Sequence, residues 1–352
     1  MPINLRYDDS VVAATRFLRK FRPHPLVWGG NAQTLFGALF PWQAGPYKAV
    51  GRLVDLEDGD RLMVHDDCPR GWTDVHPSAL LVHGLGGSHA SPYVERAAAK
   101  LNAEGVRTFR MDLRGCGAGE PYARGGAHCG SWDDVRAVVE HIGELCTRSP
   151  LHLIGYSLGG SLALNLAGDL RGEPCGNLMS VMAVCPPVDL HAVDKSFSRG
   201  AGRAYSRHFA RMMWKQIERR LATMPDPPEV DTSRVPRHIR QLDEQITAPL
   251  HGYASVDAYY NHASAGPRLS QILLPTQIIA AADDPVIPAA AISEFQLSDA
   301  IEVVVTKGGG HLGFVGRFGD DPDRRWIDWR VVEWVRAQTT DAHKPQSQVV
   351  YA

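Results

Sequence analysis

Residues 151–167 read Leu151-His-Leu-Ile-Gly-Tyr-Ser157-Leu-Gly-Gly-Ser-Leu-Ala-Leu-Asn-Leu-Ala167. An apolar run leads into a Gly-x-Ser-x-Gly pattern, and leucines and alanines typical of a buried helix follow. The glycines two positions before and after Ser157 let a strand and a helix approach closely around a sharp turn. A chance occurrence in a glycine-rich chain is the alternative, and the flanking strand and helix patterns disfavour it. We therefore interpret Ser157 as a nucleophile that projects from a strand-to-helix elbow.

Strand-like and helical patterns alternate on both sides of this elbow. An antiparallel hairpin is predicted first, with its two strands joined by the turn signal Glu57-Asp-Gly-Asp60. The predicted strands are 49–56, 61–65, 78–82, 106–113, 151–154, 178–185, 276–281 and 301–305. The alternation predicts an α/β fold with a mostly parallel sheet flanked by helices. In such a sheet, active sites collect at the carboxyl ends of the strands.

Candidates for a base and an acid follow the last two predicted strands. A nucleophilic serine needs a base that takes its proton, and the base needs an acceptor that holds its tautomer. His311 follows three glycines, and we predict it as the base. Asp283 and Asp284 compete for the role of the acid. We favour Asp284, because it stands four residues before Pro288, the usual spacing of the acid in such a turn, and Asp283 would then cap the turn.

Glycine-rich loops follow two other predicted strands. The loop His83-Gly-Leu-Gly-Gly-Ser88 lets the chain turn back toward the nucleophile. An oxyanion hole needs two backbone N–H groups where negative charge develops, and we predict the amides of Leu85 and Leu158. His83 is interpreted as a structural residue of its loop. The second loop, Asp112 to Gly119, lacks the lysine and hydroxyl of a phosphate-binding loop, so it is interpreted as a loop near the cleft.

The chain divides into four predicted parts. Residues 1–45 form an N-terminal extension, residues 46–187 and 271–340 form the core, residues 188–270 form a helical cap insertion over the cleft, and residues 341–352 form a disordered tail. Within the cap, the segments 247–253 and 259–260 are expected to touch the substrate. The extension has an apolar stripe at helical spacing, made of Ala32, Leu35, Phe36, Leu39 and Phe40. We expect this stripe to pack on the core, and a lipid-facing entrance or pocket wall is the alternative.

Composition narrows the possible functions. At 352 residues, the chain can hold one large α/β domain with an insertion. The formal net charge of −2 gives no indication of nucleic acid or an anionic membrane surface as a partner, and it favours a small neutral or apolar molecule. Six cysteines without metal-ligand spacing indicate reduced thiols in a cytoplasmic protein. We expect no secretory signal, and no apolar run approaches the ~20 residues of a membrane span.

Taken together, these residues resemble the α/β-hydrolase superfamily, whose members have the chain order Ser, Asp, His. The similarity is narrower to its YheT-like branch, which includes bacterial hydrolases and the eukaryotic abhydrolase-domain lipid hydrolases. The motifs that carry the similarity are Asn31-Ala-Gln-Thr34, Leu81-Val-His-Gly-Leu-Gly-Gly-Ser88, Tyr93-Val94, Asp112-Leu-Arg-Gly-Cys-Gly117, Gly155-Tyr-Ser-Leu-Gly159, Thr247-Ala-Pro-Leu-His-Gly252 and Asp283-Asp-Pro285. The similarity extends from about Pro23 to about residue 337. It implies an α/β-hydrolase fold and a serine esterase that acts on carboxylic esters, a class that includes lipid-like and short-chain acyl esters.

The predicted mechanism is acyl transfer through an acyl-enzyme. His311 deprotonates Ser157, Asp284 orients His311, and the amides of Leu85 and Leu158 stabilise the tetrahedral oxyanion. Water then completes the hydrolysis of a small-molecule ester. No metal or organic cofactor is needed, because the backbone donors supply the charge stabilisation.

Two other functions stay open on the sequence alone. An acyltransferase would use the same three residues and give the acyl group to an alcohol or a lysophospholipid. The spacing His128-x4-Asp133 is similar to that of related acyltransferases, although Asp133 is already explained as a helix-start residue. The other function is a noncatalytic binding protein on a hydrolase fold, against which the presence of all three residues argues. The sequence leaves the acyl length, peripheral lipid contact and the oligomeric state undetermined.

Overall fold

One eight-stranded β-sheet organises the part of the chain that the structure describes. The structure is a computed structural model, and it describes residues 19–39, 49–224 and 226–342. In chain order the strands are β1 (Val50–Asp55), β2 (Arg61–Asp67), β3 (Ser78–Val82), β4 (Arg107–Asp112), β5 (Leu151–Tyr156), β6 (Leu178–Val184), β7 (Thr276–Ala281) and β8 (Ile301–Thr306). They lie side by side in the order β1-β2-β4-β3-β5-β6-β7-β8. Only the pairs β1–β2 and β2–β4 are antiparallel within this sheet, which confirms the predicted mostly parallel arrangement.

The central strands are buried on both faces, because helices cover both faces of the sheet. The helices are α1 (Gly29–Leu39), α2 (Pro92–Ala103), α3 (Trp132–Leu145), α4 (Leu158–Leu170), α5 (Leu190–Phe197), α6 (Gly200–Thr223), α7 (Ile239–Leu242), α8 (Ala248–Leu250), α9 (Val256–Ala263) and α10 (Trp326–Ala342). Side chains alternate between the two faces along each strand. In β3, Leu80 and Val82 join the apolar cluster under α3 and α4, whereas Leu81 joins the cluster under α2 and α10. Continuous apolar runs are what such doubly covered strands require.

The chain between β6 and β7 is helical. It contains α5 to α9, a π-helical turn at Asp243–Thr247 and a 3₁₀ turn at Gly266–Gln271. The helical insertion predicted for this segment is therefore present in the fold. Among the described helices, none is long and apolar enough to cross a membrane. The predicted tail from residue 341, and residues 1–18 and 40–45 of the predicted extension, lie outside the described residues apart from helical backbone at 341 and 342.

Helix α1 contacts the core through a different face from the one we predicted. The prediction that the apolar stripe packs on the core is wrong for Leu35 and Leu39, which are 50% and 69% exposed. Gly30 and Gln33 are buried instead. The helix lies so close to the core that a Cβ added to Gly30 would stand 1.7 Å from a backbone oxygen of the core. Small and hydrogen-bonding residues are needed on that face, because bulky apolar side chains would prevent the approach.

Candidate active site

Ser157 stands at the turn between β5 and α4. Its backbone adopts φ 51° and ψ −117°, a conformation that costs energy for a residue with a side chain. A Cβ added to Gly155 would lie 2.2 Å from the carbonyl oxygen of Gly159, and one added to Gly159 would lie 2.4 Å from that of Val82. The two glycines therefore allow the elbow to press against the end of β3, with Ser157 only 9% exposed.

Ser157, His311 and Asp284 form a row of hydrogen bonds. His311 Nε2 lies 2.9 Å from Ser157 Oγ, and His311 Nδ1 lies 2.8 Å from Asp284 Oδ2. The carboxylate accepts a hydrogen bond from Nδ1–H, which leaves the Nε2 lone pair directed at the serine hydroxyl. The other Asp284 oxygen accepts the N–H groups of Val286 and Ile287 in its own turn. The fold thus brings together three residues that follow β5, β7 and β8, at the carboxyl end of the sheet.

Asp283, the alternative acid, contacts a different group. Its Oδ1 accepts the N–H of Gly310 at 2.9 Å, so it holds the backbone just before His311. Burial raises the pKa of Asp283, and the neighbouring Asp284 carboxylate adds to the rise. The turn after β7 therefore uses its two carboxylates differently. Asp284 contacts the imidazole, and Asp283 contacts the main chain of the same loop.

The predicted oxyanion donors lie beside the nucleophile. A Cβ added to Gly84 would lie 3.1 Å from the Cβ of Ser157, so the loop that contains Leu85 passes directly alongside it. Leu158 begins α4, where the first amides have no acceptor within the helix. Within the described chain, the Leu85 and Leu158 amides have no hydrogen-bond acceptor. Both residues line the same cavity as Ser157.

His83 and Tyr93 hold the near end of the Leu85 loop. The Tyr93 hydroxyl oxygen accepts the N–H of Gly84 at 2.9 Å. His83 Nδ1–H donates to the carbonyl oxygen of Gly84 at 2.7 Å, and Nε2 accepts the N–H of Leu113 at 3.1 Å. Because Nε2 accepts a hydrogen bond, the ring has its proton on Nδ1 only, and burial lowers the pKa of His83. Both ring nitrogens serve the loop backbone, and neither is available as a base.

Asp112 anchors the far end of the same loop. Its buried carboxylate accepts the backbone N–H groups of His89 and Ala118 and hydrogen bonds from the rings of His65 and His89. Burial alone would raise the pKa of Asp112, but the bonds from His65 and His89 outweigh it and hold the pKa well below its usual range. Asp112 is therefore a satisfied anion that connects the hairpin, the Leu85 loop and the loop after β4.

Neither potential metal site is arranged for a metal ion. Two groups of ligand-bearing side chains occur among the described residues, namely His65, His89 and Asp112, and Cys185, Asp284 and His311. The rings of His65 and His89 stack with centroids 3.5 Å apart and planes 18° apart. An imidazole lone pair lies in the ring plane, so two nearly parallel stacked rings cannot point at one ion. In the second group, both His311 nitrogens already contact Asp284 and Ser157.

A cavity of about 810 Å³ opens beside Ser157. This volume lies within the roughly 300–1,000 Å³ that small-molecule sites occupy. Its walls are mostly apolar and come from α1, from the helices between β6 and β7, and from the turns after β7 and β8. Representative side chains from these parts are Leu35, Val193, Phe197, Phe209, Ile287 and Leu312. Leu35 is therefore part of a pocket wall, which is the alternative expectation for the apolar stripe.

One wall of this cavity carries a buried carboxylic acid. Asp243 lies in the π-helical turn and accepts hydrogen bonds from Thr247 Oγ1 at 2.8 Å and from the Tyr260 hydroxyl at 2.9 Å. Burial raises the pKa of Asp243 to about 6, because these two donors do not offset the loss of water. The sequence around Asp243 is ordinary for a helix and gives no signal of this site. Only the tertiary contact with Tyr260 identifies it.

Part of the aromatic segment that we expected at the substrate lines this cavity. Thr247, Tyr259 and Tyr260 lie on its wall. His251 instead lines a smaller neighbouring cavity of about 70 Å³, which shares Leu85 and Leu158 with the large one.

The structure does not bring His128 and Asp133 together. His128 lies on the cavity wall, and burial lowers its pKa to about 2. The Asp133 side chain is 75% exposed and pairs with Arg136 on the surface of α3. This arrangement fits the interpretation of Asp133 as a helix-start residue.

Comparisons with known proteins identify the family and the fold of this chain. A family model described as alpha/beta hydrolase fold matches residues 77–318. The Escherichia coli (strain K12) protein named "Putative esterase YheT" is 30% identical, over 87% of this chain and 89% of that protein. Phospholipase ABHD3 of Homo sapiens is 24% identical, over 86% of this chain and 77% of its own. The structure of Est1E from Butyrivibrio proteoclasticus with ferulic acid shares the fold, with a TM-score of 0.52 at 16% identity over 82% of this chain and 99% of that chain.

Replacing Asp243 with asparagine should change how stability depends on pH. The carboxyl group has a pKa of about 6 when folded against an ordinary value of 3.8, so the wild type loses stability as the pH rises through this window. We expect Asp243→Asn to raise the free energy of unfolding near neutral pH by up to about 3 kcal/mol. The thermal unfolding midpoint should rise accordingly. The difference should shrink below about pH 4.

The surface variant Asp133→Asn is the matched control, because its carboxylate is 75% exposed. It should shift the midpoint little at either pH. An equal effect of Asp243→Asn at acidic and neutral pH would show that the charge of Asp243 is not the cause.

Proposed function

Because this chain belongs to the α/β hydrolase fold family, we propose that it hydrolyses carboxylic esters through an acyl-enzyme on Ser157. The observation that carries the proposal is the row of hydrogen bonds from Ser157 Oγ through His311 to Asp284, beside a largely apolar cavity. A serine hydroxyl is a weak nucleophile unless a base takes its proton, and the row supplies that base and its acceptor.

In the first step, Ser157 Oγ attacks the ester carbonyl carbon while His311 Nε2 takes the hydroxyl proton. The imidazolium that forms is stabilised by Asp284, whose side chain is only 2% exposed. Low exposure strengthens this interaction, because little water competes for the carboxylate. His311 then gives its proton to the leaving alcohol, and the acyl group stays on Ser157.

The negative charge of the tetrahedral intermediate needs donors that are already in place. The Leu85 and Leu158 amides, which have no acceptor within the described chain, are proposed to bind this oxyanion. Their positions depend on the elbow and on a loop held by Tyr93 and His83, so little reorganisation is needed during the reaction. A water molecule, activated by His311 in the same way, then attacks the acyl-enzyme and releases the carboxylic acid product from Ser157.

The cavity indicates which part of the substrate is bound most strongly. Its apolar walls suit a hydrocarbon acyl chain, and burial of each methylene contributes roughly 0.8 kcal/mol. We propose that the acyl chain lies against Val193, Phe197 and Phe209 of the helices between β6 and β7. These helices would then act as a cap over the cleft. The substrate class is an ester with an apolar acyl group and a small or variable alcohol.

Ser157→Ala should abolish ester hydrolysis and covalent labelling by a fluorophosphonate. The loss in turnover should be at least about 10⁴-fold, because no other group can form the acyl-enzyme. Ser161→Ala is the matched control, since Ser161 lies on the helix that follows Ser157 and its hydroxyl donates to the Pro187 carbonyl oxygen. Mass spectrometry of the labelled protein should place the probe on Ser157. A label on any other residue would refute the assignment.

The two adjacent aspartates provide an internal comparison. Asp284→Asn should lower kcat by roughly 10³-fold or more, because the amide no longer holds the Nδ1–H tautomer of His311. Asp283→Asn keeps an oxygen that can accept the Gly310 N–H, so its kcat should fall by less than about tenfold. Steady-state kinetics on a soluble p-nitrophenyl ester would distinguish the two. The opposite ranking would make Asp283 the acid.

The dependence of kcat/KM on acyl length, measured with a series of p-nitrophenyl esters, tests whether the acyl chain binds in the cavity. From acetate to hexanoate, kcat/KM should rise about fourfold per methylene, as expected for roughly 0.8 kcal/mol of buried surface each. Val193→Phe narrows the cavity and should weaken this preference. Val235→Phe is the control, because Val235 is 63% exposed and does not line the cavity. A flat series in the wild type would mean that the acyl chain does not enter the cavity.

A further inference from the structure

The loop that carries His311 has a backbone that needs support from outside. Leu312 and Phe314 adopt φ 62° and 39°, which is costly for residues with side chains. Gly309 and Gly310 also have positive φ, at 135° and 56°. Strained backbone of this kind persists only where surrounding contacts over-determine it. The imidazole position therefore depends on whatever packs against this loop.

Thr34 of α1 supplies one such contact. The backbone N–H of His311 donates to Thr34 Oγ1 at 2.8 Å. The Thr34 hydroxyl in turn donates its own proton to the carbonyl oxygen of Gly30 at 2.7 Å. Because that proton is used within the helix, the hydroxyl oxygen presents a lone pair to His311. Thr34 thus fixes the main chain of the residue whose ring contacts Ser157.

Gln33 holds the other end of the loop. The side chain is 1% exposed, and its Oε1 accepts the N–H of Val315 at 2.7 Å. Its Nε2 donates to the carbonyl oxygens of Val315 at 3.2 Å and of Val27 at 2.8 Å. The amide therefore engages both backbone groups of Val315, much as a neighbouring strand would. A loop tied at His311 and at Val315 has little freedom between them.

Helix α1 is also in direct backbone contact with both turns that carry the acid and the base. A Cβ added to Gly30 would lie 1.7 Å from the carbonyl oxygen of Asp283, the residue before Asp284. A Cβ added to Gly310 would lie 2.3 Å from the carbonyl oxygen of Gly30. A change in the position of α1 would therefore move both turns. The helix therefore packs on both turns, which are also joined to each other by the hydrogen bond from Gly310 to Asp283.

We propose that Thr34 and Gln33 are positioning residues for His311, although the helix that carries them precedes residues 77–318, which the family model matches. The inference rests on the proposed function and deepens it. Thr34 and Gln33 do not contact the reacting atoms. Thr34 acts through the His311 main chain and Gln33 through the Val315 main chain, and together they keep Nε2 at hydrogen-bond distance from Ser157 Oγ.

Thr34→Val tests the inference, because valine has nearly the same shape and lacks the acceptor. We expect kcat for a p-nitrophenyl ester to fall by roughly tenfold to a hundredfold, while KM changes less than about threefold. The fluorophosphonate labelling rate of Ser157 should fall in parallel. Thr34→Ser restores the oxygen, so its kcat should lie within about threefold of the wild type. Leu39→Ala, at a 69% exposed position of the same helix, should leave kcat unchanged.

A double-mutant cycle separates positioning from a general structural role. In a His311→Ala background, Thr34→Val should cause no further loss of the residual activity, because residues that act as a unit are not additive. An equal loss in both backgrounds would overturn the proposal. So would a folded Thr34→Val protein whose kcat stays within about threefold of the wild type while only its unfolding midpoint falls.

Folding of the variants is checked by circular dichroism before the kinetics. If Thr34→Val is not folded, Thr34→Cys takes its place, since sulfur is a weak acceptor and the same fall in kcat is expected. Full activity of a folded Thr34→Cys protein would likewise overturn the proposal. If the wild type shows no hydrolysis that depends on Ser157, the proposed function is wrong. The labelling rate of Ser157 would still test whether Thr34 positions His311.

Discussion

The backbone contact at the serine elbow is the constraint on which the other features of the site depend. Gly155 and Gly159 let β5, α4 and the end of β3 meet at distances that no Cβ would permit. This contact places Ser157 and the Leu158 amide in a strained turn, and it brings the loop of Leu85 alongside. The strain can be held because the flanking strand is fully buried and the helix is buried except at Asp169, so that neither can relax separately.

The two sides of the hydrogen-bonded row are held by different means. On the nucleophile side, neighbouring parallel strands and glycine contacts define the geometry. On the base side, β8 is the last strand in the order of the described sheet, so no strand of that sheet lies beyond the loop that follows it. Helix α1, from a distant part of the sequence, supplies the missing hydrogen bonds through Gln33 and Thr34. A loop at a sheet edge needs such a partner, because buried or strained backbone groups cannot be left unpaired.

Two buried carboxylates show how the nearby hydrogen-bond donors determine the free-energy cost of burying a negative charge. Asp112 accepts hydrogen bonds from two backbone amides and two imidazoles, and its pKa stays well below the usual range. Asp243 has only a threonine and a tyrosine hydroxyl as donors, and its pKa rises to about 6. The first carboxylate anchors the loop that contains Leu85, one of the two proposed oxyanion donors. The second is a carboxylate whose charge is less well stabilised, on a mostly apolar cavity wall.

The sequence by itself determined the fold class and the order of the polar groups. Buried strands produce continuous apolar runs and the elbow requires its glycines, so both are visible along the chain. Because the carboxyl ends of parallel strands meet at one edge, the sequence also predicted that Ser157, His311 and one of two aspartates would come together. The separate contacts of Asp283 and Asp284 needed the structure, because adjacent residues in a turn point in directions that spacing alone does not define.

Only the tertiary structure decided the contacts that join distant parts of the chain. Hydrophobic periodicity predicted that α1 would bury Leu35 and Leu39, yet it buries Gly30 and Gln33. Periodicity records which side chains avoid water, whereas this helix is positioned by backbone approach and by polar side chains that pair with a strained loop. The buried site of Asp243 could not be identified from the sequence for the same reason. Hydrogen bonds between residues far apart in sequence leave no pattern along the chain, and they exist only once the fold has brought their partners together.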